Sequence, residues 1–248
     1  MTATHPSRLH WLDPRQPDQP FPDPAFALPD PNGLLAIGGD LSPMRLLNAY
    51  RQGIFPWFNP DEPILWWSPN PRCVFVPGAV HVSHSLAKRI KKGGYAMSFD
   101  RAFTETLAAC AGVRRSGRGT WLGAEMQAAY RSLHRSGIAH SIEVWREGQL
   151  IGGLYGVAIG RMFFGESMFS VETDASKLAL VHLSRQLHAW GFPLLDCQVA
   201  SPHLMRLGAH NLSRADFLVQ SQLAQQLVPP AHWRFDAVHA GDARHLPT

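Results

Sequence analysis

The amino-acid sequence predicts an α+β fold, with a small N-terminal domain followed by a larger domain of mixed, largely antiparallel sheet and flanking helices. Residues 141–170 contain three consecutive runs of strand-forming residues, separated by turns at Glu147-Gly148 and at Gly160-Arg161. Residues 176–190 follow with apolar side chains at helical spacing, and residues 194–200 then resume a strand pattern. Strands in succession, then a helix, a strand and a helix, are typical of the α+β class.

The small N-terminal domain is predicted to span residues 1–70. Residues 6–31 are rich in proline and aspartate, which favours extended and irregular backbone. Ser42 suits the N-cap of a helix that Gly53 ends. After that helix, prolines interrupt an aromatic-rich segment over residues 55–75, so long regular elements are not expected there.

The larger domain is predicted to span residues 71–248 and to hold most of the helices. Ser83 is a suitable cap for the first of them, and Asp100 is expected to begin the second. Glycines end several of these segments, as is common at helix C-termini. The predicted helices cover residues 84–92, 100–111, 124–135, 176–190, 203–207 and 214–227.

The composition indicates a globular protein. Hydrophobic residues make up 45% of the 248 residues and charged residues 17%, which leaves little room for long disordered segments. The formal net charge of +4 is compatible with a polyanionic partner. The three cysteines form no metal-binding or redox spacing, so we expect no metal site. Neither a signal peptide nor a stretch of roughly 18 apolar residues is present, so we expect a cytoplasmic protein without membrane contact.

Several motifs over residues 28–208 resemble the leucyl/phenylalanyl-tRNA-protein transferase family. The longest is LPDPNGLLAIGGDLSPMRLLNAYRQGIFPWF, with PILWWSPNPR shortly after it, and the others are GTWL, HSIEVW, FFGESMFS and LLDCQV. The resemblance implies a bacterial aminoacyltransferase that moves Leu, Phe or Met from aminoacyl-tRNA to proteins with N-terminal Arg or Lys. Such tagging marks these proteins for N-end rule degradation. We expect a monomer whose partners are aminoacyl-tRNA and acceptor proteins with N-terminal Arg or Lys.

The predicted order of strands and helices also resembles the GNAT-type acyltransferase fold. Members of that fold usually hold acetyl-CoA on a glycine-containing loop before the long helix, but residues 169–177 contain no glycine. A tRNA ester already carries its activation energy, so we expect no cofactor. Two rival functions remain open, a CoA-dependent acetyltransferase and a noncatalytic tRNA-binding protein.

The family resemblance implies that Asp196 and Gln198 are catalytic. They are two residues apart in a predicted strand, so we expect their side chains to share one face and to form a hydrogen bond with each other. Asp196 would then orient the Gln198 carbonyl oxygen toward the attacking α-amine. The structural alternative is that both are simply polar residues at a strand end.

Glu166 also matches an active-site position of the family. It lies in the otherwise apolar run MFFGESMF, where a carboxylate needs a partner. We expect that partner to be the cationic acceptor, and the alternatives are an internal Arg or Lys or a solvated strand edge. Since Phe163 and Glu166 would face opposite sides of a regular strand, we expect a bulge near Gly165.

The resemblance implies further binding residues for aminoacyl-tRNA. Trp57 and Trp121 match tryptophans that stack on the terminal adenine. The alternative for any tryptophan in this aromatic-rich segment is a place in the core or at a domain interface, and this is the interpretation for Trp66 and Trp67. The pocket for the donor side chain is formed by five apolar residues that otherwise would be ordinary core: Leu154, Phe163, Met168, Leu180 and Leu183. A basic cluster on the helix over residues 84–92 is expected to bind tRNA phosphate, unless it is only a solvated face: Lys88, Arg89, Lys91 and Lys92.

Overall fold

The structure, a computed structural model, describes residues 9–112 and 122–235 and the backbone of residues 244–245. The helices in these ranges are α1 (Pro43–Arg51), α2 (His84–Lys92), α3 (Phe103–Gly112), α4 (Ala124–Arg135), α5 (Ala175–Ala189), α6 (Pro202–Arg206) and α7 (Arg214–Gln225). The strands are β1 (His10–Leu12), β2 (Leu34–Gly38), β3 (Phe55–Pro56), β4 (Leu65–Trp67), β5 (Arg72–Phe75), β6 (Ala96–Phe99), β7 (Ala139–Arg146), β8 (Gln149–Ile159), β9 (Met162–Ser170), β10 (Leu194–Asp196), β11 (His210–Leu212) and β12 (Arg244–His245). Within the described part of the chain, no helix combines the length and the apolar character that crossing a membrane requires.

Side-chain caps explain why the predicted helices begin where they do. The Ser42 hydroxyl accepts a hydrogen bond from the backbone of Arg45 at the start of α1, and Ser83 does the same at the start of α2. Asp100 was expected to begin α3, and this is wrong. Its φ of 58° takes it out of the helix, which starts only at Phe103. The Asp100 carboxylate instead accepts hydrogen bonds from His140 and from the backbone of Ser141.

The predicted α+β class is confirmed by an eight-stranded sheet of order β11-β5-β10-β9-β8-β7-β6-β12. The pairs β10·β9 and β12·β6 are parallel and the other five are antiparallel, so the sheet is mixed and largely antiparallel. The predicted meander is β7 to β9. Helix α5 then crosses over to β10, which lies beside β9 in the order expected of a GNAT-like domain.

The strand predicted over residues 194–200 is shorter than expected. β10 pairs with β9 only from Leu194 to Asp196, opposite Met162 to Phe164, and then stops. β9 continues to Ser170 without β10. β9 and the segment that follows β10 therefore separate beyond Asp196 and leave a cleft between them.

A four-stranded sheet of order β1-β2-β4-β3 forms the N-terminal part of the structure. Trp66, in β4, is fully buried, and its indole donates a hydrogen bond to the carbonyl of Gly38. The core around it runs without interruption from Tyr50 in α1 to Tyr155 and Phe164 in the large sheet. Burial of this shared apolar surface holds the N-terminal sheet against the side of the cleft.

The close packing of β8 against β9 generates a testable prediction at Gly156. A Cβ added there would lie 2.5 Å from the Phe163 ring, which is closer than side chains tolerate. Gly156→Ala should therefore lower the free energy of unfolding by about 1–3 kcal/mol, as overpacking does in a filled core. Urea denaturation measures this change.

Gly112→Ala is the matched control, because a Cβ at the end of α3 would have no atom of the described residues within 4 Å. It should leave stability unchanged or raise it slightly, since alanine favours helix over glycine. Equal stabilities of the two variants would contradict the tight packing between β8 and β9.

Candidate active site

A cavity of about 500 Å³ occupies the cleft between β9 and the chain that follows β10. Its walls come from β3, β8, β9, α5, α6 and the segment after Asp196. The residues that line it are Phe55, Pro56, Trp57, Leu154, Tyr155, Phe163, Gly165, Glu166, Ser167, Met168, Leu180, Leu183, Leu195, Cys197, Gln198, Val199, Ser201, His203 and Leu204. The lining is mainly apolar, with a few polar side chains that include Glu166, Gln198 and His203, as is usual for a small-molecule pocket.

The structure brings most of the predicted site residues to this one cavity. Eight of them line it: Trp57, Leu154, Phe163, Glu166, Met168, Leu180, Leu183 and Gln198. Asp196 lies behind the wall, fully buried. Trp121 lies outside the described residues. The basic residues of α2 do not line the cavity.

The expected bulge in β9 is present. Tyr155 in β8 pairs with Ser167, whereas its neighbour Gly156 pairs with Gly165, so Glu166 is the extra residue. A bulged residue leaves the strict alternation of a strand. This is why Phe163 and Glu166 can both line the cavity.

The apolar end of the cavity lies between the sheet and α5. Leu154 and Met168 are direct neighbours across β8 and β9, and Leu180 and Leu183 approach them from α5. Phe163 has no solvent exposure. These side chains form a pocket in which apolar surface can be removed from water, and its shape limits which side chains fit.

Glu166 is held by two tyrosines. The Tyr50 hydroxyl donates to its Oε1 atom and the Tyr130 hydroxyl to its Oε2 atom, each at 2.7 Å. The two phenol oxygens are also 2.8 Å apart. Among the described residues its hydrogen-bond partners are therefore phenols and not an internal Arg or Lys, so that structural alternative is wrong.

The number of hydrogen bonds that Tyr50, Tyr130 and Glu166 can form together depends on whether Glu166 is ionised. Three short contacts join Tyr50, Tyr130 and Glu166, but two phenols carry only two protons. When Glu166 is ionised, both phenols donate to it and no proton lies between the two phenol oxygens; when Glu166 is protonated, its proton allows all three contacts to be hydrogen bonds. Burial raises the pKa of Glu166 to about 7, although the hydrogen bonds from Tyr130 and Tyr50 lower it. Since burial also raises the pKa of both phenols, the group that titrates near neutral pH is Glu166.

The expected side-chain contact between Asp196 and Gln198 is wrong. Asp196 receives two hydrogen bonds from the Arg72 guanidinium, at 2.7 and 2.6 Å, and a third from the backbone N–H of Gln198, at 3.0 Å. Gln198 has left the strand, because its φ is 58°. Within the described part of the chain, the Gln198 side-chain nitrogen is buried without a hydrogen-bond partner. It is a polar group in the cavity wall with hydrogen-bonding capacity to spare.

Trp57 lies at the rim of the cavity, with 46% of its surface exposed. The indole of Trp67 donates to the backbone carbonyl of Trp57 at 2.6 Å, and the two rings are 5.8 Å apart. This support fixes the backbone of Trp57 and leaves part of its ring accessible. An exposed, braced indole offers a face on which a base can stack.

The basic cluster of α2 divides into two kinds of side chain. Lys88, Lys91 and Lys92 are exposed. Arg89 is half-buried, at 3.6 Å from Glu172 and with its guanidinium 5.9 Å from the Tyr95 ring centre. In the described residues, no three His, Cys, Asp or Glu side chains are placed to hold a metal ion together.

Three polar residues of the site escaped the sequence analysis. Tyr50 and Tyr130 lie on the buried faces of α1 and α4, where a phenol needs a polar partner. Arg72 begins the apolar run RCVF, as Glu166 interrupts an apolar run of its own. A charged residue beside fully apolar neighbours was the available signal, but only Glu166 was interpreted in this way.

Comparisons with known proteins match the chain over most of its length. The sequence model described as leucyl/phenylalanyl-tRNA protein transferase matches residues 74–222, and the model of its N-terminal domain matches residues 39–70. A leucyl/phenylalanyl-tRNA–protein transferase of Alkalilimnicola ehrlichii is 57% identical over 92% of this chain and 90% of its own length. Those of Thiobacillus denitrificans and Nitrosomonas europaea are 58% and 57% identical, over 88% and 90% of this chain and 96% and 95% of their own lengths.

Proposed function

Since the chain belongs to the leucyl/phenylalanyl-tRNA protein transferase family, we infer that it transfers Leu or Phe from aminoacyl-tRNA to the α-amine of proteins with N-terminal Arg or Lys. Met is a further donor side chain in this proposal. The observation that carries it is the convergence of an apolar pocket, Glu166, Gln198 and an exposed Trp57 at one cavity. In the reaction the α-amine forms a C–N bond with the ester carbonyl carbon, the C–O bond to the ribose breaks, and the ribose oxygen leaves as a hydroxyl with the proton that the amine loses.

The donor would enter with its amino-acid side chain in the apolar end of the cavity. Leu154, Met168 and Leu183 line that end, and we expect it to admit side chains that branch beyond Cβ and to discriminate against Val and Ile. The terminal adenine would stack on Trp57 at the rim, with Trp121 as the second face that the family resemblance implies. Stacking does not depend on the rest of the tRNA sequence, as an enzyme that uses several tRNAs requires.

The acceptor would approach from the polar side of the cavity. An ionised Glu166 attracts the cationic side chain or the ammonium of an N-terminal Arg or Lys. Gln198 lines the cavity, and its side-chain nitrogen has no hydrogen-bond partner among the described residues. In this proposal the ester and the amine meet beside it. Its role is to hold the two reactants in line and to assist the proton that leaves the amine.

The remaining parts of the proposal concern the whole chain. Lys88, Lys91 and Lys92, with Arg89 beside them, would bind tRNA phosphates in a salt-dependent and sequence-independent way. The enzyme would act as a monomer in the cytoplasm. Residues 1–70 would form the N-terminal domain and residues 71–248 the catalytic domain.

One experiment tests the function as a whole. Purified protein is mixed with leucyl-tRNA that carries labelled leucine and with a peptide that begins with Arg, and label in the peptide is counted. Transfer to this peptide, but not to one that begins with Ala, supports the proposal. Binding of the tRNA without transfer would favour a noncatalytic tRNA-binding protein, and acetylation of the peptide by labelled acetyl-CoA would favour the CoA-dependent rival.

The donor pocket generates a prediction about substrate choice. Met168→Ala enlarges the apolar end of the cavity, so the ratio of Phe to Leu transfer should rise by about 10-fold, the effect of roughly 1–3 kcal/mol of side-chain fit. Competition between the two aminoacyl-tRNAs measures the ratio. Val171→Ala is the control, because Val171 is exposed and does not line the cavity. A ratio that stays constant in Met168→Ala would remove Met168 from the donor pocket.

The raised pKa of Glu166 generates a prediction about pH. Its carboxyl is ionised above about pH 7 and neutral below it. The KM for an N-terminal Arg peptide should therefore increase as the pH falls through 7, by about 10-fold for the loss of one charged hydrogen bond. Initial rates at a range of peptide concentrations, between pH 6 and pH 8.5, measure this.

Glu166→Gln should lose the tenfold change in KM near pH 7, because its amide cannot ionise, and should keep only the pH dependence of the peptide α-amine, whose pKa is about 8. Glu172→Gln removes a carboxylate that pairs with Arg89 and Arg146 and does not line the cavity, so it should keep the pH dependence of the unaltered enzyme. If Glu166→Gln also keeps the pH dependence of KM seen in the unaltered enzyme, Glu166 does not bind the acceptor cation.

A further inference from the structure

The ion pair between Arg72 and Asp196 joins the sheet to the segment that carries Gln198. Both side chains are essentially removed from solvent, with 1% and 0% exposure, and the contact is bidentate. We propose that Arg72 is a positioning residue of the active site, which fixes Asp196 so that Asp196 can hold the backbone of Gln198 in its left-handed conformation. This role rests on the transfer reaction proposed above.

The surroundings of Arg72 leave it one orientation. Its third nitrogen, Nη1, donates to the carbonyl of Gly53 at 3.0 Å. The guanidinium lies 4.9 Å from the Phe55 ring centre and 4.5 Å from that of Phe217. Two aromatic faces and three hydrogen bonds therefore hold the planar group, in the geometry that suits arginine and not lysine.

Asp196, held by Arg72, in turn holds the backbone of Gln198. Its Oδ1 atom accepts from Arg72 and also from the Gln198 backbone N–H, at 3.0 Å. The Gln198 carbonyl accepts from the backbone of Cys73 at 3.1 Å, so both ends of this residue are held. A non-glycine residue with a φ of 58° needs such support, because the left-handed conformation is unfavourable by itself.

The same contacts decide what Asp196 does. Each of its oxygens already accepts hydrogen bonds from Arg72, and it has no exposed surface. It cannot reach the α-amine or receive its proton. Asp196 therefore acts as a fixed anion behind the cavity wall, and the effect of Arg72 on catalysis passes through it to Gln198.

Arg72 also connects Gln198 to the segment that carries Trp57. Gly53 and Phe55, two of its other partners, lie four and two positions before Trp57 in the chain. The guanidinium of Arg72 therefore contacts both the segment that leads to Trp57, the proposed adenine-stacking residue, and the ion pair that holds Gln198. Loosening it should disturb the alignment of the reactants more than their binding.

Arg72→Lys tests the proposal, with Arg45→Lys as the matched control. Arg45 is also fully buried, in an ion pair with Asp40 and in hydrogen bonds to backbone carbonyls, but none of these partners lines the cavity, whereas Phe55 beside Arg72 does. Both variants should lose thermal stability. Only Arg72→Lys should lower kcat, by on the order of 10- to 100-fold for a small misplacement of a reacting group, with KM for leucyl-tRNA nearly unchanged.

A second readout does not depend on activity. Hydrogen exchange of the Gln198 backbone amide, followed by NMR on labelled protein, should accelerate in Arg72→Lys and stay as in the unaltered protein in Arg45→Lys. Unchanged Gln198 exchange in Arg72→Lys, or a kcat that equals that of Arg45→Lys, would overturn the positioning role. If the unaltered protein transfers no leucine while Gln198 exchange still responds to Arg72→Lys, the proposed function fails and the structural coupling stands.

Should Arg72→Lys not fold, the double variant Arg72→Gln with Asp196→Asn replaces the ion pair by two neutral amides that can still hydrogen-bond. Removal of both charges avoids an unpaired buried ion. This variant should fold and should retain KM for leucyl-tRNA, with kcat lowered on the same scale. Full kcat in the double variant would show that the ion pair has no part in positioning Gln198.

Discussion

The parallel pairing of β10 with β9 ends at Asp196 and Phe164, and the cavity exists because of this early end. Had β10 continued, its residues would have paired with Gly165 to Met168, and the space now open to a substrate would have been filled by a ladder of backbone hydrogen bonds. Two features stop it. Asp196 uses its carboxylate on Arg72 and on the backbone of Gln198, and β9 bulges at Glu166.

The fully buried Asp196 and the half-buried Glu166 have opposite kinds of partner at this cleft. Asp196 is neutralised by a bidentate guanidinium, so it is a permanent part of the framework. Glu166 has only phenols as hydrogen-bond partners among the described residues, so no permanent cation compensates its charge and its pKa rises to about 7. A carboxyl that lacks a cation of its own can respond to one that arrives with a substrate. The chemistry of each site thus follows from its partners and not from the residue type.

The N-terminal sheet contributes to the site through packing. Trp66 anchors β4 in the core, and β3 beside it presents Phe55 and Trp57 to the cavity. Tyr50 reaches Glu166 from α1, in the same part of the chain. The cavity therefore needs both sheets, and its polar and aromatic groups are positioned by rigid elements that bury a common core.

Local signals in the sequence were sufficient for much of the fold and for the family. The serine caps of α1 and α2, the two turns of the meander and the periodicity of α5 act within a few residues, and the structure confirms these elements. The short strands β5, β6 and β11 were not predicted, because they are strands only through pairing with distant neighbours. The family motifs around Glu166 and Gln198 indicated residues that line the cleft. The bulge in β9 was expected because Phe163 and Glu166 both had to face the site.

Tertiary structure alone decided how the charged groups are connected. Arg72 is 124 positions from Asp196 and Tyr50 is 116 positions from Glu166, and no spacing rule links residues so far apart. Asp196 and Gln198 do not share one strand face as their spacing predicts, because the strand ends between them, where Asp196 pairs with Arg72 and Gln198 is left-handed. Sequence determines which groups must find partners, since burial of an unpaired charge is costly, but the packing of distant elements determines which partners they find.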